Sequence, residues 1–158
     1  MLCYYCYLFS QGVMMECPMP TININDAQEI KEIFLDCKRI AIIGLSPDPT
    51  KDSHKVAKYL QEHGFKIYPI YPKEEIILGE RVYRSLSDIK ESVDMVDMFR
   101  KPEIADSLIE EVLKRKDVKV FWLQLGIVNN AACEKAKANG LTAVQNKCTK
   151  IEYERFMK

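Results

Sequence analysis

A glycine followed by a polar loop is the first candidate for chemistry in this sequence. The stretch "GLSPDPTKDSHK", residues 44–55, follows the apolar run "RIAII" and leads into an amphipathic segment. A dinucleotide-binding loop would carry the pattern G-x-G-x-x-G here, but only Gly44 is present. Ser46, Ser53 and the N–H groups at the start of a helix can still bind phosphate, because they donate hydrogen bonds and that helix end is positive. The loop therefore predicts a phosphate site with a different geometry from the triple-glycine turn.

The same loop has structural alternatives. Asp52 or Ser53 could instead cap the helix that follows, and this is as open as a role in binding phosphate. His54 lies at the start of that helix, where a structural role can account for an imidazole without a bound ligand. Leu45 and His54 belong to the candidate site through their position in the loop alone.

A lysine follows the second apolar run, "FKIYPIYP", where an NAD site would have an acidic residue. In such sites an Asp or Glu accepts hydrogen bonds from the ribose hydroxyls, but this sequence has Tyr71, Pro72 and Lys73. Lys73 favours a nucleotide with an additional phosphate on its ribose, a group that NADP and coenzyme A (CoA) both carry. Glu74 and Glu75 weaken the local positive field. An exposed lysine in a turn is the alternative.

Two cations precede a third amphipathic segment. The stretch "MFRKP" places Phe99, Arg100 and Lys101 before Pro102, which suits the first turn of a helix. The positive end of a helix disfavours cations, so a bound anion would resolve the conflict. Arg100 offers forked contacts to phosphate, and Phe99 could pack on an adenine ring or a pantetheine arm. This stretch therefore favours ligand binding over a solvated basic turn.

The remaining polar candidates indicate binding rather than catalysis. Gln124, in "LQLG", either hydrogen-bonds a ligand amide or ties loops together. Cys148 could face the same edge as a redox switch, but a lone cysteine is more often inert. No pair with acid–base or nucleophile–base character is evident, and no second Cys/His pair follows Cys3 and Cys6 at zinc-site spacing. We therefore predict no catalytic residue and no metal site.

Apolar runs alternate with amphipathic segments along the chain. The predicted strands are "RIAIIG", "FKIYPIYP", "RVYRSL" with a turn, "VDMVDMF", "VKVFWLQLG" with a core Trp122, and "LTAVQ". The first predicted helix has Asn25 as its cap and ends at about Lys38, and the second covers "SHKVAKYLQEHG" with Gly64 at its end. The third begins at Pro102, with Ile104, Leu108, Val112 and Leu113 on one stripe. The last two cover "AACEKAKA", after an Asn129 or Asn130 cap, and "TKIEYERFMK".

This alternation predicts an α/β protein, a Rossmann-like doubly wound parallel sheet of about five to six strands in a single domain. In open sheets of this kind, ligands bind at the carboxyl ends of the strands, near the point where the strand order reverses. We therefore expect the four polar stretches to meet there.

The composition is that of an ordinary globular protein. The 158 residues are 47% apolar and 29% charged, and 23 Lys and Arg balance 23 Asp and Glu. The zero net charge argues against a nucleic-acid or membrane partner. Six cysteines at irregular spacing favour a reduced, cytoplasmic protein over a disulfide framework.

Residues 1–24 form an apolar leader ahead of the predicted domain, residues 25–158. The leader lacks the basic start, the cleavage site and the membrane-spanning length of a signal or an anchor. Met14, Met15 and Met19 all precede the first periodic segment, so translation could begin at one of them. We expect the leader to be disordered or to lie outside the true start.

Three stretches taken together resemble the stand-alone CoA-binding domain family, small Rossmann-like proteins of bacteria and archaea. They are "RIAIIGLSPDPTKDSHKVAKYLQEHGFKIYPIYP", "DMVDMFRKP" and "VFWLQLGIVN", and the resemblance covers roughly Asp26 to Lys158. This family is similar to the amino-terminal nucleotide-binding domain of the succinyl-CoA synthetase α subunit. Tyr71 departs from the family pattern, which commonly has an asparagine before this proline.

The resemblance implies that CoA lies across the strand ends. It implies that the phosphates lie near Gly44, Ser46 and Ser53, the 3′-phosphoadenosine near residues 71–73, and the adenine or pantetheine arm against residues 99–102. The resemblance covers only the nucleotide-binding domain of the synthetase. It does not extend to the domain with the phosphorylated histidine or to the ATP-grasp partner. The expected function is therefore non-catalytic binding of CoA or acyl-CoA, as a sensor, a carrier or a partner of an acyl-CoA enzyme. An NADP-dependent oxidoreductase is the alternative, disfavoured by the missing glycines and the short chain.

Overall fold

A computed structural model describes residues 27–158 of the chain. The leader, the Asn25 cap and the Cys3–Cys6 pair lie outside the described residues, so they stay predictions. Within the described part, no helix combines the length and the apolar character needed to cross a membrane.

Strands and helices alternate through the described residues. The strands are β1 (Arg39–Ile43), β2 (Lys66–Ile70), β3 (Ile76–Ile77), β4 (Glu80–Arg81), β5 (Met95–Met98), β6 (Val120–Leu123) and β7 (Thr142–Val144). The helices are α1 (Ala27–Asp36), α2 (Asp52–Glu62), α3 (Ile104–Lys114), α4 (Asn130–Ala138) and α5 (Thr149–Met157), with a 3₁₀ turn at Leu86–Asp88.

Five strands form one parallel sheet in the order β2-β1-β5-β6-β7. The chain moves from β1 to β2 at one edge and then returns to β5 on the other side of β1, so the strand order reverses between β1 and β5. Ile43 lies opposite Ile70 and Met98, and the three neighbouring strands therefore end at the same level. This confirms the predicted Rossmann-like class. Strands β3 and β4 form a separate antiparallel hairpin. Strand β3 was not predicted, and β4 overlaps the predicted strand "RVYRSL" only at Arg81.

Helices cover both faces of the sheet. Helices α1, α2 and α5 pack on one face, and α3 and α4 pack on the other. Successive strand residues alternate between the two cores: Ile42 faces the first group of helices and Ile43 the second. Both faces are apolar, which explains why the strands appear in the sequence as continuous apolar runs rather than alternating ones.

An aromatic cluster joins α1 and α5 to the sheet. Phe34 is 0% exposed, and its ring centroid lies 5.8 Å from that of Trp122, 5.4 Å from Tyr153 and 6.2 Å from Phe65. Trp122 is also fully buried, as predicted, and its Nε1 donates a hydrogen bond to the Lys147 carbonyl at 2.8 Å. The cluster therefore holds both helices against one face of the sheet.

Helix α3 starts later than predicted, and the capping alternative that the sequence left open for α2 is not found. Helix α3 begins at Ile104, after a turn in which the Ala105 N–H donates to the Pro102 carbonyl at 3.1 Å. The Ile104 side chain is 39% exposed and does not belong to the buried stripe. Helix α2 begins after Lys51, and neither Asp52 nor Ser53 caps it.

Other predicted helix ends are confirmed or shifted slightly. Asn129 Oδ1 accepts a hydrogen bond from the Ala132 N–H at 3.0 Å, so Asn129 is the cap of α4. Gly64 has φ +90° just after α2, as expected for a residue that ends a helix. Helix α1 ends at Asp36, two residues earlier than predicted.

We expect Phe34→Ala to lower the free energy of unfolding by about 3–5 kcal/mol, because it removes the central ring of a filled cluster. The neighbouring Leu35 is 53% exposed, so Leu35→Ala, the matched control, should change the stability by less than about 0.5 kcal/mol. Urea unfolding of the two variants measures this difference. Equal effects of the two substitutions would contradict this role of the cluster.

Candidate functional site

The four predicted stretches lie along the carboxyl edge of the sheet, as expected. Across the sheet, the segments come in the order of the strands that they follow: residues 71–73 after β2, 44–51 after β1, 99–103 after β5 and 124–129 after β6. The segments after β1 and β5 flank the reversal of strand order, where ligands bind in open α/β sheets.

The loop after β1 closes on itself through Ser46. The Ser46 N–H donates to Ser53 Oγ at 3.1 Å, and the Ser46 carbonyl accepts from His54 Nδ1 at 2.9 Å. Ser46 Oγ accepts from the Asp48 N–H at 3.1 Å. Ser53 and His54 therefore hold the shape of the loop, and the Ser53 side chain is nearly buried.

The loop leaves the first turn of α2 free of a side-chain cap. The first N–H groups of a helix have no partner inside it, so they are available to an anion at this edge. Asp48 Oδ1 accepts hydrogen bonds from the N–H and the hydroxyl of Thr50, which lower the pKa of the Asp48 carboxyl. This carboxylate therefore stays ionised at neutral pH and partly offsets the positive field of the loop.

Gly44 and Arg100 meet at the reversal of strand order. Gly44 has φ +82°, and a Cβ atom built on it would lie 2.6 Å from Arg100 Cδ and 3.1 Å from the Phe99 carbonyl oxygen. The Phe99 N–H donates to the Ile43 carbonyl at 2.9 Å, which keeps the two segments side by side. The missing side chain at position 44 thus lets the segment after β5 lie directly on the segment after β1.

Three predicted cations are exposed along this edge: Lys73, Arg100 and Lys101. None of them forms an ion pair with another residue in the described part of the chain. Pro72 is exposed beside Lys73, while Tyr71 and Phe99 are half-buried. The edge therefore presents positive charge next to aromatic surface.

Sequence reasoning missed a fourth cation, Arg84. Its Nη1 donates to the carbonyls of both Tyr71 and Lys73 at 2.9 Å, and its Nη2 lies 3.4 Å from Glu75 Oε1. Tyr83 forms an isolated parallel bridge with Ile70, which carries Arg84 to the carboxyl end of β2. The stretch "RVYRSL" was predicted as a strand, but nothing in it indicates that it runs beside β2.

A buried polar cluster lies beneath the edge. Asp97 is 0% exposed, and both of its carboxyl oxygens accept hydrogen bonds from Gln124 Nε2 at 2.8 Å. Gln124 Nε2 also donates to Thr149 Oγ1 at 2.8 Å, and that hydroxyl donates to Asp97 Oδ2 at 3.2 Å. Burial raises the pKa of the Asp97 carboxyl to about 7, although both hydrogen bonds oppose this shift.

Besides Ser53, two predicted site residues have interior side chains. Leu45 is fully buried in the core, and Gln124 is 3% exposed with its amide nitrogen occupied by Asp97 and Thr149. Of the two alternatives for Gln124, the structure supports the tying of strands and loops. The Leu45 side chain therefore cannot contact a ligand at the edge, and the Gln124 amide nitrogen already has protein partners.

Cys148 lies just before α5 and is half-buried. Burial is the largest cause of the raised pKa of its thiol. A thiol with a raised pKa is a poor nucleophile at neutral pH, so this shift disfavours the redox-switch hypothesis for Cys148.

The sequence profile described as "CoA binding domain" matches residues 38–154. The chain belongs to the CoA-binding domain family. The matched residues include every strand and all four segments of the carboxyl edge. The predicted resemblance is thereby confirmed.

Two relatives of this CoA-binding domain have nearly its length. The uncharacterized protein YneT of Bacillus subtilis (strain 168) is 39% identical over 125 residues, which are 79% of this chain and 92% of YneT. A solved structure, a hypothetical protein from Pyrococcus horikoshii OT3, is 40% identical with a TM-score of 0.82, and the match covers 91% of this chain and 100% of that one. The fold therefore recurs as a small protein.

A third relative is much longer. The acetate–CoA ligase [ADP-forming] II subunit alpha of Pyrococcus furiosus is 36% identical over 81 residues. The match covers 50% of this chain but only 18% of the ligase subunit. This chain is thus similar to one small part of that ligase.

We expect Asp97→Asn to change how stability depends on pH. Folding raises the pKa of the Asp97 carboxyl from its ordinary value of 3.8 to about 7. The protonated carboxyl therefore stabilises the fold fully below about pH 4, and this contribution is lost as the pH rises through 7. The amide does not ionise, so the variant should gain stability relative to the wild type between these values, up to about 4 kcal/mol.

Urea unfolding at several pH values from 4 to 8 measures this change. The exposed Asp36→Asn is the matched control for the loss of one carboxylate. A constant stability difference between Asp97→Asn and the wild type across this range would contradict the assignment.

Proposed function

We propose that this domain binds CoA or acyl-CoA along the carboxyl edge of its sheet and does not itself catalyse a reaction. The observation that carries the proposal is the close approach of Arg100 to Gly44 at the reversal of strand order, in a member of the CoA-binding domain family. A diphosphate at this point would receive hydrogen bonds from the first turn of α2 and from the Arg100 guanidinium.

The cations define the direction of the ligand. Lys73 and Arg84 lie beyond β2, at one end of the sheet, where they suit the 3′-phosphate of the adenosine. Arg84 already donates to two carbonyls of this turn, so it positions Lys73 as well as adding charge. The diphosphate then lies over β1 and β5, and the pantetheine arm extends toward β6.

The described residues at the edge favour binding over catalysis. His54 Nδ1 is occupied by the Ser46 carbonyl, the Asp97 carboxyl is enclosed, and the pKa of the Cys148 thiol is raised. The domain therefore serves as a sensor, a carrier or a partner of an acyl-CoA enzyme. Cys37, Cys133 and Cys148 are free, which suits a reducing cytoplasm.

Isothermal titration with CoA, NADP and NAD tests the proposal. We expect CoA to bind in the micromolar range or tighter, and more tightly than either dinucleotide. Arg100→Ala should weaken CoA binding by about 1.5–3 kcal/mol, because a charge-assisted hydrogen bond is lost.

Lys90→Ala is the control for Arg100→Ala, since Lys90 is an exposed cation before the start of β5, at the opposite edge. An Arg100→Ala variant that binds CoA as the wild type does would remove Arg100 from the site. Tighter binding of NADP than of CoA would favour the oxidoreductase hypothesis instead.

Titration with 3′-dephospho-CoA tests the direction of the ligand. We expect the wild type to prefer CoA about tenfold or more, because Lys73 pairs with the 3′-phosphate. Lys73→Met should reduce this ratio, and Arg84→Met should reduce it too, since the turn loses its anchor. If both variants keep the wild-type ratio, the adenosine does not lie at the end of β2.

A further inference from the structure

A fully buried carboxyl group lies below the carboxyl edge, on the face of the sheet that α2 and α5 cover. Asp97 of β5 pairs in register with Ile42 of β1 and Trp122 of β6, and both of these neighbours belong to the core on that face. Gly44 comes two residues after Ile42, and a strand rises about 3.3 Å per residue, so Gly44 lies about 7 Å above the level of Asp97. The carboxyl group is therefore near the place where the diphosphate is proposed to bind.

Neutral donors alone hydrogen-bond this carboxyl group in the described part of the chain. They are the Gln124 amide nitrogen, at 2.8 Å from each carboxyl oxygen, and the Thr149 hydroxyl, at 3.2 Å from Oδ2. No lysine or arginine there forms an ion pair with Asp97. The ionised carboxyl is thus a buried negative charge without a cation beside it, a state that burial disfavours. Burial thereby raises the pKa of Asp97 to about 7, so the group gains or loses its proton near neutral pH.

Other titratable groups near Asp97 come mainly from the start of α5. The buried residues of α1 and α2 are neutral, whereas α5 buries Glu152, three residues after Thr149. Burial, and to a smaller extent the Asp97 carboxyl, raises the pKa of the Cys148 thiol, so this thiol is neutral near pH 7. The remaining charged or titratable side chains of the adjoining segments are Lys51, Asp52 and His54 at the start of α2, Arg100 and Lys101 after β5, and Lys147 and Lys150 around the start of α5.

A bound diphosphate acts on the titration of Asp97 through its charge. Two residues of strand plus the length of one hydrogen bond place the diphosphate roughly 10 Å from the Asp97 carboxyl. At that separation inside a protein, two negative charges repel each other enough to change an equilibrium about three- to tenfold. The Arg100 guanidinium offsets one of the two diphosphate charges, so one charge remains to act on Asp97.

We propose that Asp97 couples proton uptake to ligand binding: the site binds CoA more tightly when Asp97 is protonated, and bound CoA draws a proton from the solvent onto the ionised carboxylate. This inference rests on the proposed function. Asp97 touches no part of the ligand and acts through its charge alone. Since such coupling is reciprocal, the proton strengthens CoA binding by the same factor by which CoA strengthens proton binding.

Calorimetric titration of the wild type and Asp97→Asn with CoA at pH 6, 7 and 8 tests this inference. The 3′-phosphate of CoA itself ionises with a pKa of about 6, so the two proteins are compared at each pH with the same ligand. The amide imitates the protonated carboxyl. We therefore expect equal affinities at pH 6, and at pH 8 we expect Asp97→Asn to bind CoA about threefold more tightly or better.

Thr149→Val provides a second variant, which keeps the test decisive if Asp97→Asn folds poorly. It removes the hydroxyl that donates to Asp97 Oδ2, and this hydrogen bond lowers the pKa of Asp97. Without it, Asp97 should stay protonated to a higher pH. Thr149→Val should then match the wild type at pH 6 and bind CoA more tightly than the wild type at pH 8.

Asp36→Asn is the matched control, because Asp36 is an exposed carboxylate at the end of α1, before the amino end of β1; it should equal the wild type at each pH. If CoA binds at no pH, the proposed function fails. If CoA binds but neither variant differs from the wild type at pH 8, only the coupling is overturned. Much weaker binding by a folded Asp97→Asn at pH 6 would overturn it too, since a neutral group at this position should not oppose the ligand.

Discussion

The backbone of Gly44 lies so close to the Arg100 side chain that a Cβ atom at position 44 would be 2.6 Å from Arg100 Cδ. This contact occurs where the strand order reverses, at the place where β1, β2 and β5 end at one level. A side chain at position 44 would displace the Arg100 side chain, would press on the Phe99 carbonyl oxygen and would be strained by φ +82°. The single glycine of the loop therefore leaves room for the Arg100 side chain at the edge. In a dinucleotide turn, by contrast, three glycines let the backbone approach the diphosphate.

The edge also depends on a buried acid. Asp97 receives hydrogen bonds from neutral donors only, Gln124 and Thr149, so burial outweighs them and its pKa is raised to about 7. The cluster joins β5, the end of β6 and the first turn of α5 beneath the candidate site. It therefore holds the start of α5 in place next to the ends of β5 and β6.

Several parts of the fold and of the candidate site were predictable because neighbours in sequence determine them. The apolar runs indicated buried parallel strands, Asn129 was one of two predicted caps for α4, and position at a strand end brought Gly44 and Arg100 to the same edge. Leu45 and Gln124 also lie just after the ends of β1 and β6, yet their side chains are buried. Strand-end position predicts the edge of the sheet, but the direction of each side chain depends on what packs around it.

The local sequence determined the alternation of strands and helices and the meeting of the four polar stretches at the carboxyl edge, since periodicity and chain order fix which strand ends lie side by side. Only the tertiary structure decided that Arg84 joins the turn after β2, that Ile104 faces solvent, and that Gln124 binds Asp97 rather than facing outward. Each of these depends on a pairing between residues far apart in the chain, such as Ile70 with Tyr83. Such pairings leave no periodic signal in either partner, because they arise from how whole elements pack.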